Sequence, residues 1–156
     1  MNHSFVPPRL EFFASAEIQV GPPLEFGPVG GGVRRMIPII GGTVSAQDWK
    51  GIVLPGGMDY QFVVDGRRAH LEARYTIETD AGDLIYVCNR AVRAGPPEAL
   101  SRLQRGDPVA PGEVYSCGSP TFETSSASLG WIADRIFIAS GRRRPDRVEL
   151  GFYVVG

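Results

Sequence analysis

Residues able to exchange protons or hold an anion gather in one stretch, MDYQFVVDGRRAHLEARY, spanning Met58 to Tyr75. Asp65-Gly66 between two β-rich runs signals a hairpin, because a type I′ turn needs positive φ at both central residues. With a two-residue loop, Val64 faces Arg67, Tyr60 faces Leu71, and Asp59 faces Glu72 in a closely spaced pair. Alternation then puts Asp59, Gln61, His70, Glu72 and Arg74 on one face, and Tyr60, Phe62, Val64, Leu71, Ala73 and Tyr75 on the other. Two carboxylates held this close raise one pKa, leaving an acid beside a base. Arg74 is the fixed cationic fork that would bind a carboxylate or stabilise an enolate. A loop at Asp80-Ala81-Gly82-Asp83 brings the next strand back with Arg74 facing Asn89, so Asn89 joins the polar face while Tyr86 lies with Tyr75. The competing reading is a wet outer face on which water screens the carboxylate pair.

Other candidate chemistry is thinner. GPVGGGVRR, residues 27–35, has neither the dinucleotide-binding glycine spacing nor a phosphate-loop ending, and reads as a loop. Arg34 and Arg35 place one guanidinium on each side of their strand. GRRRPDR, residues 141–147, concentrates arginines in a turn, where charge is usually solvated. The serines near residue 125 have no nucleophile elbow, and Trp131 is either core or ligand platform. Cys88 and Cys117 lack metal or redox spacing and are expected to be reduced; with His3 and His70 the only histidines, no His/Cys metal site is expected, and no cofactor is called for.

Those groups need elements to position them. The 156 residues suffice for one domain, 1–156, and 20 Gly with 13 Pro favour many short strands over helices. About ten β-rich runs recur between turn residues, from LEFFASAEIQV through WIADRIFIAS to RVELGFYVV. PPEALSRLQRGDP is the exception, a short helix near residues 97–105 with Pro at its start and Gly106 as its stop. GPPLEFGPVGGGV, residues 21–33, suits a mobile loop near a barrel mouth. The fold class is all-β: a single closed or nearly closed antiparallel barrel of about 8–10 strands with that one helix. A net charge of −1 gives no drive towards nucleic acid, and no apolar run is long enough to cross a bilayer. A cytoplasmic location is expected, and free strand edges suggest a homodimer.

Taken together, RRMIPIIGGTV, GIVLPGGMDYQFVVDG, LEARYTIETDAGDLIYVCNR, GPPEALSRLQRGDPV, TFETSS, WIADRIFIASGRR and FYVV resemble the family of domain of unknown function 3237 over roughly residues 25–156. The resemblance implies a compact β-barrel with one helix and brings no activity. Its pattern matches at Arg35, Pro38, Gly41, Gly42, Gly56, Gly57, Asp59, Gln61, Arg74, Tyr75, Asn89, Glu123 and Trp131, with an acidic residue at Glu72. Where relatives have Tyr-Tyr-Phe-Arg this chain has Val114-Tyr115-Ser116-Cys117, and where they have Trp-Leu-Asn it has Trp131-Ile132-Ala133, so an Arg and an Asn are missing. The sequence thus points to a barrel binding a small organic molecule, aromatic or polyketide-like, with a carboxylate or enolisable carbonyl. As an isomerase, cyclase or lyase it would use Asp59, Glu72 and Arg74 for catalysis, with Arg35, Gln61, Tyr75, Tyr86, Asn89, Glu123 and Trp131 as ligand contacts. The alternatives are a non-catalytic binding protein and an oligomeric scaffold without a pocket.

Overall fold

Strands follow one another almost without interruption because β-branched and aromatic residues alternate with polar ones and glycines set the turns. The computed structural model describes residues 4–156, and His3 lies outside the described residues. In chain order the elements are β1 (Leu10–Val20), β2 (Leu24–Val29), β3 (Gly32–Ala46), β4 (Lys50–Val53), β5 (Gly57–Val64), β6 (Arg68–Thr79), β7 (Leu84–Ala94), α1 (Pro97–Arg105), β8 (Tyr115–Thr124), a 3₁₀ turn (Gly130–Asp134), β9 (Phe137–Arg143) and β10 (Arg147–Val155). Eight of the strands, β1-β10-β9-β8-β7-β6-β5-β3, close into an antiparallel barrel through the pairing of β3 with β1, and β2 and β4 are extra strands lying against β3. Closure gives each of the eight a neighbour on both sides, so among the described residues the free strand edge is that of β2, which pairs with β3 alone. No helix among the described residues is long and apolar enough to cross a membrane.

Two stretches differ from the sequence expectation. Residues 24–29 form β2 rather than a loop: the β1 direction resumes after Pro23, and Leu24, Glu25 and Pro28 pair with Met36, Arg35 and Val33 across a bulge. The run WIADRIFIAS is not one strand; its first half is the 3₁₀ turn, which buries Ile132, and pairing begins only at Phe137.

Side chains fill the lumen unevenly along the barrel axis. At one end Phe13, Phe122, Phe137 and Phe152 pack edge to face, with ring centroids 4.9 Å apart for Phe122 and Phe137 and 5.8 Å for Phe122 and Phe152. Phe13 stands 5.1 Å from Phe137 and 5.6 Å from Trp131. Each fully buried Phe contributes roughly 2–3 kcal/mol, so this end carries much of the stability. Towards the other end the inward positions are small: Ala69, Ala73, Ala91, Gly118 and Ala139. The α1 helix lies over that small-residue end. A Cβ on Gly66 in the β5–β6 turn would meet Pro97, and one on Gly106 would meet Pro145 in the β9–β10 turn. Pro at its first turn, Glu98 answering Arg102 at 2.6 Å and left-handed Gly106 (φ 82°) define the helix, while Ala99, Leu100 and Leu103 are buried.

Candidate functional site

The β5–β6 turn has the backbone its sequence demands: Asp65 and Gly66 have φ of 53° and 65°, and Arg67 N–H donates to Val64 C=O at 3.2 Å. Arg67 then stays out of the β5–β6 ladder. Its carbonyl accepts from Gly95 N–H at 3.0 Å, and pairing resumes at Val64 with Arg68. One bulged residue reverses the facing of a whole strand against its neighbour. Asp59 therefore pairs with Ala73 and Tyr60 with Glu72, so the expected opposition of Asp59 and Glu72 does not exist. The β6–β7 loop also differs by one. Its turn is Asp80-Ala81-Gly82, with Gly82 left-handed at φ 86°, and Ala73, not Arg74, faces Asn89.

These two registers sort the candidate residues into separate places. Asp59, Gln61, Tyr75 and Asn89 point into the lumen, joined there by Arg35 from β3 opposite Gln61. Glu72, Arg74 and Tyr86 share the outer face: Arg74 donates to Tyr86 Oη at 3.0 Å, and Glu72 Oε1 accepts from Arg74 at 3.3 Å and Arg90 at 2.8 Å. The two arginines hold the Glu72 carboxyl below the usual carboxylate range. Glu123 is exposed on the outside of β8, paired with Tyr86. Trp131 sits at the aromatic end, 42% exposed, beyond the reach of the polar cluster.

A relay runs from the rim along one wall of the lumen, over the adjacent strands β2, β3 and β5. Glu25 accepts from Arg35 Nε at 2.9 Å, Arg35 Nη1 donates to Gln61 Oε1 at 3.1 Å, and Gln61 Nε2 donates to Asp59 Oδ2 at 2.8 Å. Each amide and guanidinium atom in that chain has one role, which fixes the Gln61 orientation. The second Asp59 oxygen, Oδ1, is buried without a hydrogen-bond partner, as are Tyr75 Oη and Asn89 Oδ1. Three orphaned polar atoms in one lumen are a departure from ordinary interiors. Burial pushes the Asp59 carboxyl up from its usual value, against the downward pull of the Gln61 hydrogen bond and of Arg93, Arg143 and Arg35. Burial, and then the Asp59 charge, push the Tyr75 phenol up, so it stays a neutral donor.

The small inward residues leave a cavity in which water centres range over about 60 Å³, bounded by Asp59, Asn89, Arg93, Ser116, Gly118, Arg143 and an apolar wall that includes Ile18, Ile39, Leu71 and Leu150. The β8–β9 ladder is only Cys117 with Ser140 and Gly118 with Ala139. Beyond it the wall parts, and Ser116, Gly141, Arg142 and Arg143 border the cavity there. Cys88 and Cys117 are free thiols on the outer side of their strands.

Arg93 and Arg143 are the residues that sequence reasoning missed. The signal for Arg93 was present, since Asn89, Ala91 and Arg93 stand two apart on one strand and must share a face. Arg143 was set aside as part of a solvated turn, but β9 extends through it and aims it inward. Arg34, by contrast, turns outward over the Phe62 ring at 4.9 Å.

The chain has close relatives. The family described as "Protein of unknown function (DUF3237)" matches residues 8–155. A UPF0311 protein of Rhodopseudomonas palustris is 40% identical over 137 residues, covering 88% of this chain and 90% of the relative. A crystal structure of a conserved protein of unknown function from the same organism superposes with a TM-score of 0.93 at 36% identity, covering 97% of this chain and all (100%) of the other. A crystal structure of an enzyme from Penicillium herquei gives a TM-score of 0.74 at 18% identity with 100% of both chains covered, a likeness of fold alone.

Proposed function

From a chain that belongs to the DUF3237 family, we propose a protein that binds a small organic molecule in the barrel lumen and exchanges a proton with it through Asp59, as an isomerase, cyclase or lyase working without a cofactor. The observation that carries this reading is Asp59 Oδ1, a carboxylate oxygen out of water, without a partner, on the wall of the cavity. A carboxylate so desolvated is a stronger base than one in water, and Gln61 holding Oδ2 leaves Oδ1 as the reactive atom.

The step is a proton transfer. A C–H or O–H bond of the bound molecule breaks, its proton passes to Asp59 Oδ1, and the electron pair remains on the ligand as an enolate or alkoxide. Arg93 and Arg143 supply fixed positive charge for that developing anion on the wall of the same cavity. Return of the proton from Asp59 to a different carbon completes an isomerisation; attack of the alkoxide oxygen on an unsaturated carbon of the same molecule, with the proton returned to the neighbouring carbon, closes a ring; and departure of a group that takes its bonding pair and the Asp59 proton completes an elimination. Glu72 and Arg74 have no part in this chemistry, because their strand turns them to the outer face.

The test is native mass spectrometry of protein purified from its own cells, compared with the Asp59→Asn and Arg93→Met variants. A small molecule retained by the wild type and lost from Arg93→Met supports the reading. A bound molecule held equally by all three proteins would contradict it.

A further inference from the structure

Three arginines reach the same lumen, and they differ in what answers them. Arg35 is 4% exposed and has both Glu25 and Gln61 as acceptors. Arg143 donates to the carbonyls of Arg144 at 2.6 Å and Arg147 at 3.3 Å, with no carboxylate among its partners. Arg93 is 7% exposed and makes no hydrogen bond or ion pair among the described residues, although it borders the cavity. A buried guanidinium carries five donors and a charge that a native interior normally satisfies.

The charges do not balance. Arg35, Arg93 and Arg143 face Asp59 within the lumen and Glu25 at its rim, and Arg143 also feels Asp146 from the β9–β10 turn. The adjoining β9–β10 turn does not make up the deficit: Arg142, Arg144 and Arg147 are already set against Glu149 and Asp146. One positive charge in the lumen lacks a counter-ion, and the turn beside the opening is itself positive, which draws anions towards it.

Size narrows the ligand further. Adding a water radius around the 60 Å³ range of water centres, and filling the result at native packing density, gives room for on the order of ten non-hydrogen atoms. That is one ring with a short substituent, not a fused polycycle. The apolar wall of Ile18, Ile39, Leu71 and Leu150 suits a ring face.

We infer that the ligand is a carboxylate of single-ring size, its anionic group seated against Arg93 and Arg143 and its ring on the apolar wall, which places a carbon or hydroxyl of the ring substituent next to Asp59 Oδ1. This rests on the lumen reading above and adds the charge and dimensions of the molecule. It also narrows the wider ligand class that the sequence allowed, to a molecule whose enclosed part is one ring.

Isothermal titration of the full chain with benzoate, benzamide and 1-naphthoate tests it. Benzoate is expected to bind about tenfold to a hundredfold tighter than its neutral isostere benzamide, as charge-assisted hydrogen bonds require. Naphthoate should bind about tenfold more weakly than benzoate or give no heat, because the wall must deform to admit it. Arg93→Met should weaken benzoate about tenfold or more and leave benzamide unchanged. Arg143→Met, at a less buried position, provides the same comparison if Arg93→Met fails to fold, as judged by circular dichroism. Equal affinity for benzoate and benzamide, or no binding of either, overturns the anion site; naphthoate binding as tightly as benzoate overturns the size. Asp59's own titration separates this from the base role. A raised Asp59 midpoint without benzoate binding removes only the anion assignment, and an ordinary midpoint with benzoate binding removes only the proton transfer.

Discussion

Replacing Arg93 with Met should make the protein more stable while emptying its site. Burial lowers the Arg93 pKa from the ordinary arginine value to about 10, with the charges of Arg143 and Arg35 adding to the fall and Asp59 opposing it. At about 1.4 kcal/mol for each tenfold change in proton affinity, holding that guanidinium charged in the folded state costs about 3 kcal/mol. Met keeps most of the volume and removes the cost. Because that fall already includes the opposing Asp59 charge, the net gain is about 3 kcal/mol, or a rise of about 9 °C in Tm for a chain of this length. The pH dependence carries its own signature. Above about pH 10 the unfolded chain binds more protons at this position than the folded one, so wild-type stability rises with pH there. The advantage of Arg93→Met should be constant below about pH 9 and close above pH 10. Urea denaturation across that range is the assay. A variant that loses 2 kcal/mol or more, with no change in this difference above about pH 10, would mean that partners satisfy Arg93 and that it is not waiting for an anion.

Three further substitutions separate the lumen from the outer face. Gln61→Leu breaks the relay at both ends, leaving Arg35 Nη1 and Asp59 Oδ2 unpaired; a loss of about 2–4 kcal/mol in urea denaturation is expected, with the Asp59 carboxyl moving further up because the Gln61 hydrogen bond holds it down. Gly118→Ala places a Cβ against Asn89 Oδ1 and Ala91, so it should cost about 1–3 kcal/mol and abolish benzoate binding by filling the cavity floor. Glu72→Gln removes the acceptor of Arg74 and Arg90 on the exposed face; the thermal midpoint and the benzoate affinity should both match wild type in scanning calorimetry and titration.

The barrel was legible because its signals are local. Alternation along LEFFASAEIQV and RVELGFYVV fixes which side of β1 and β10 faces in, and Pro97 and Gly106 bracket α1. The candidate residues were legible only in part. Asp59, Gln61, Arg35, Tyr75 and Asn89 meet in the lumen, Glu72, Arg74 and Tyr86 do not, and Arg93 and Arg143 were passed over; the unpaired Arg67 and the one-residue shift of the β6–β7 loop decide the grouping. The sequence at Asp65-Gly66 specifies the turn, whereas the bulge after it depends on Gly95, which comes from the far end of β7 and captures the Arg67 carbonyl. A contact between residues 28 apart in sequence leaves no trace in either segment alone. Hydrophobic burial should have arbitrated, since Leu71 and Tyr75 must face inward; the reading that paired them with Tyr60 and Phe62 placed an equally apolar set on that side. The polar set won the lumen because Arg35 and Gln61 satisfy each other there. The Leu24–Val29 strand was hidden for a related reason: its glycines signal a loop, and only its partners on β3 make it a strand.

The central claim is that Asp59 is a desolvated base facing an open cavity, and its own titration tests that most directly. Carboxyl ¹³C NMR of the labelled protein between about pH 3 and pH 8, with the Asp59 resonance assigned by its absence in Asp59→Asn, gives the midpoint. A midpoint above the usual aspartate value of 3.8 is predicted, with stability falling as pH rises through that interval because the folded state there binds more protons than the unfolded one. A midpoint at or below 3.8 would contradict the account, since the surrounding arginines would then outweigh burial and leave Asp59 a structural counter-ion.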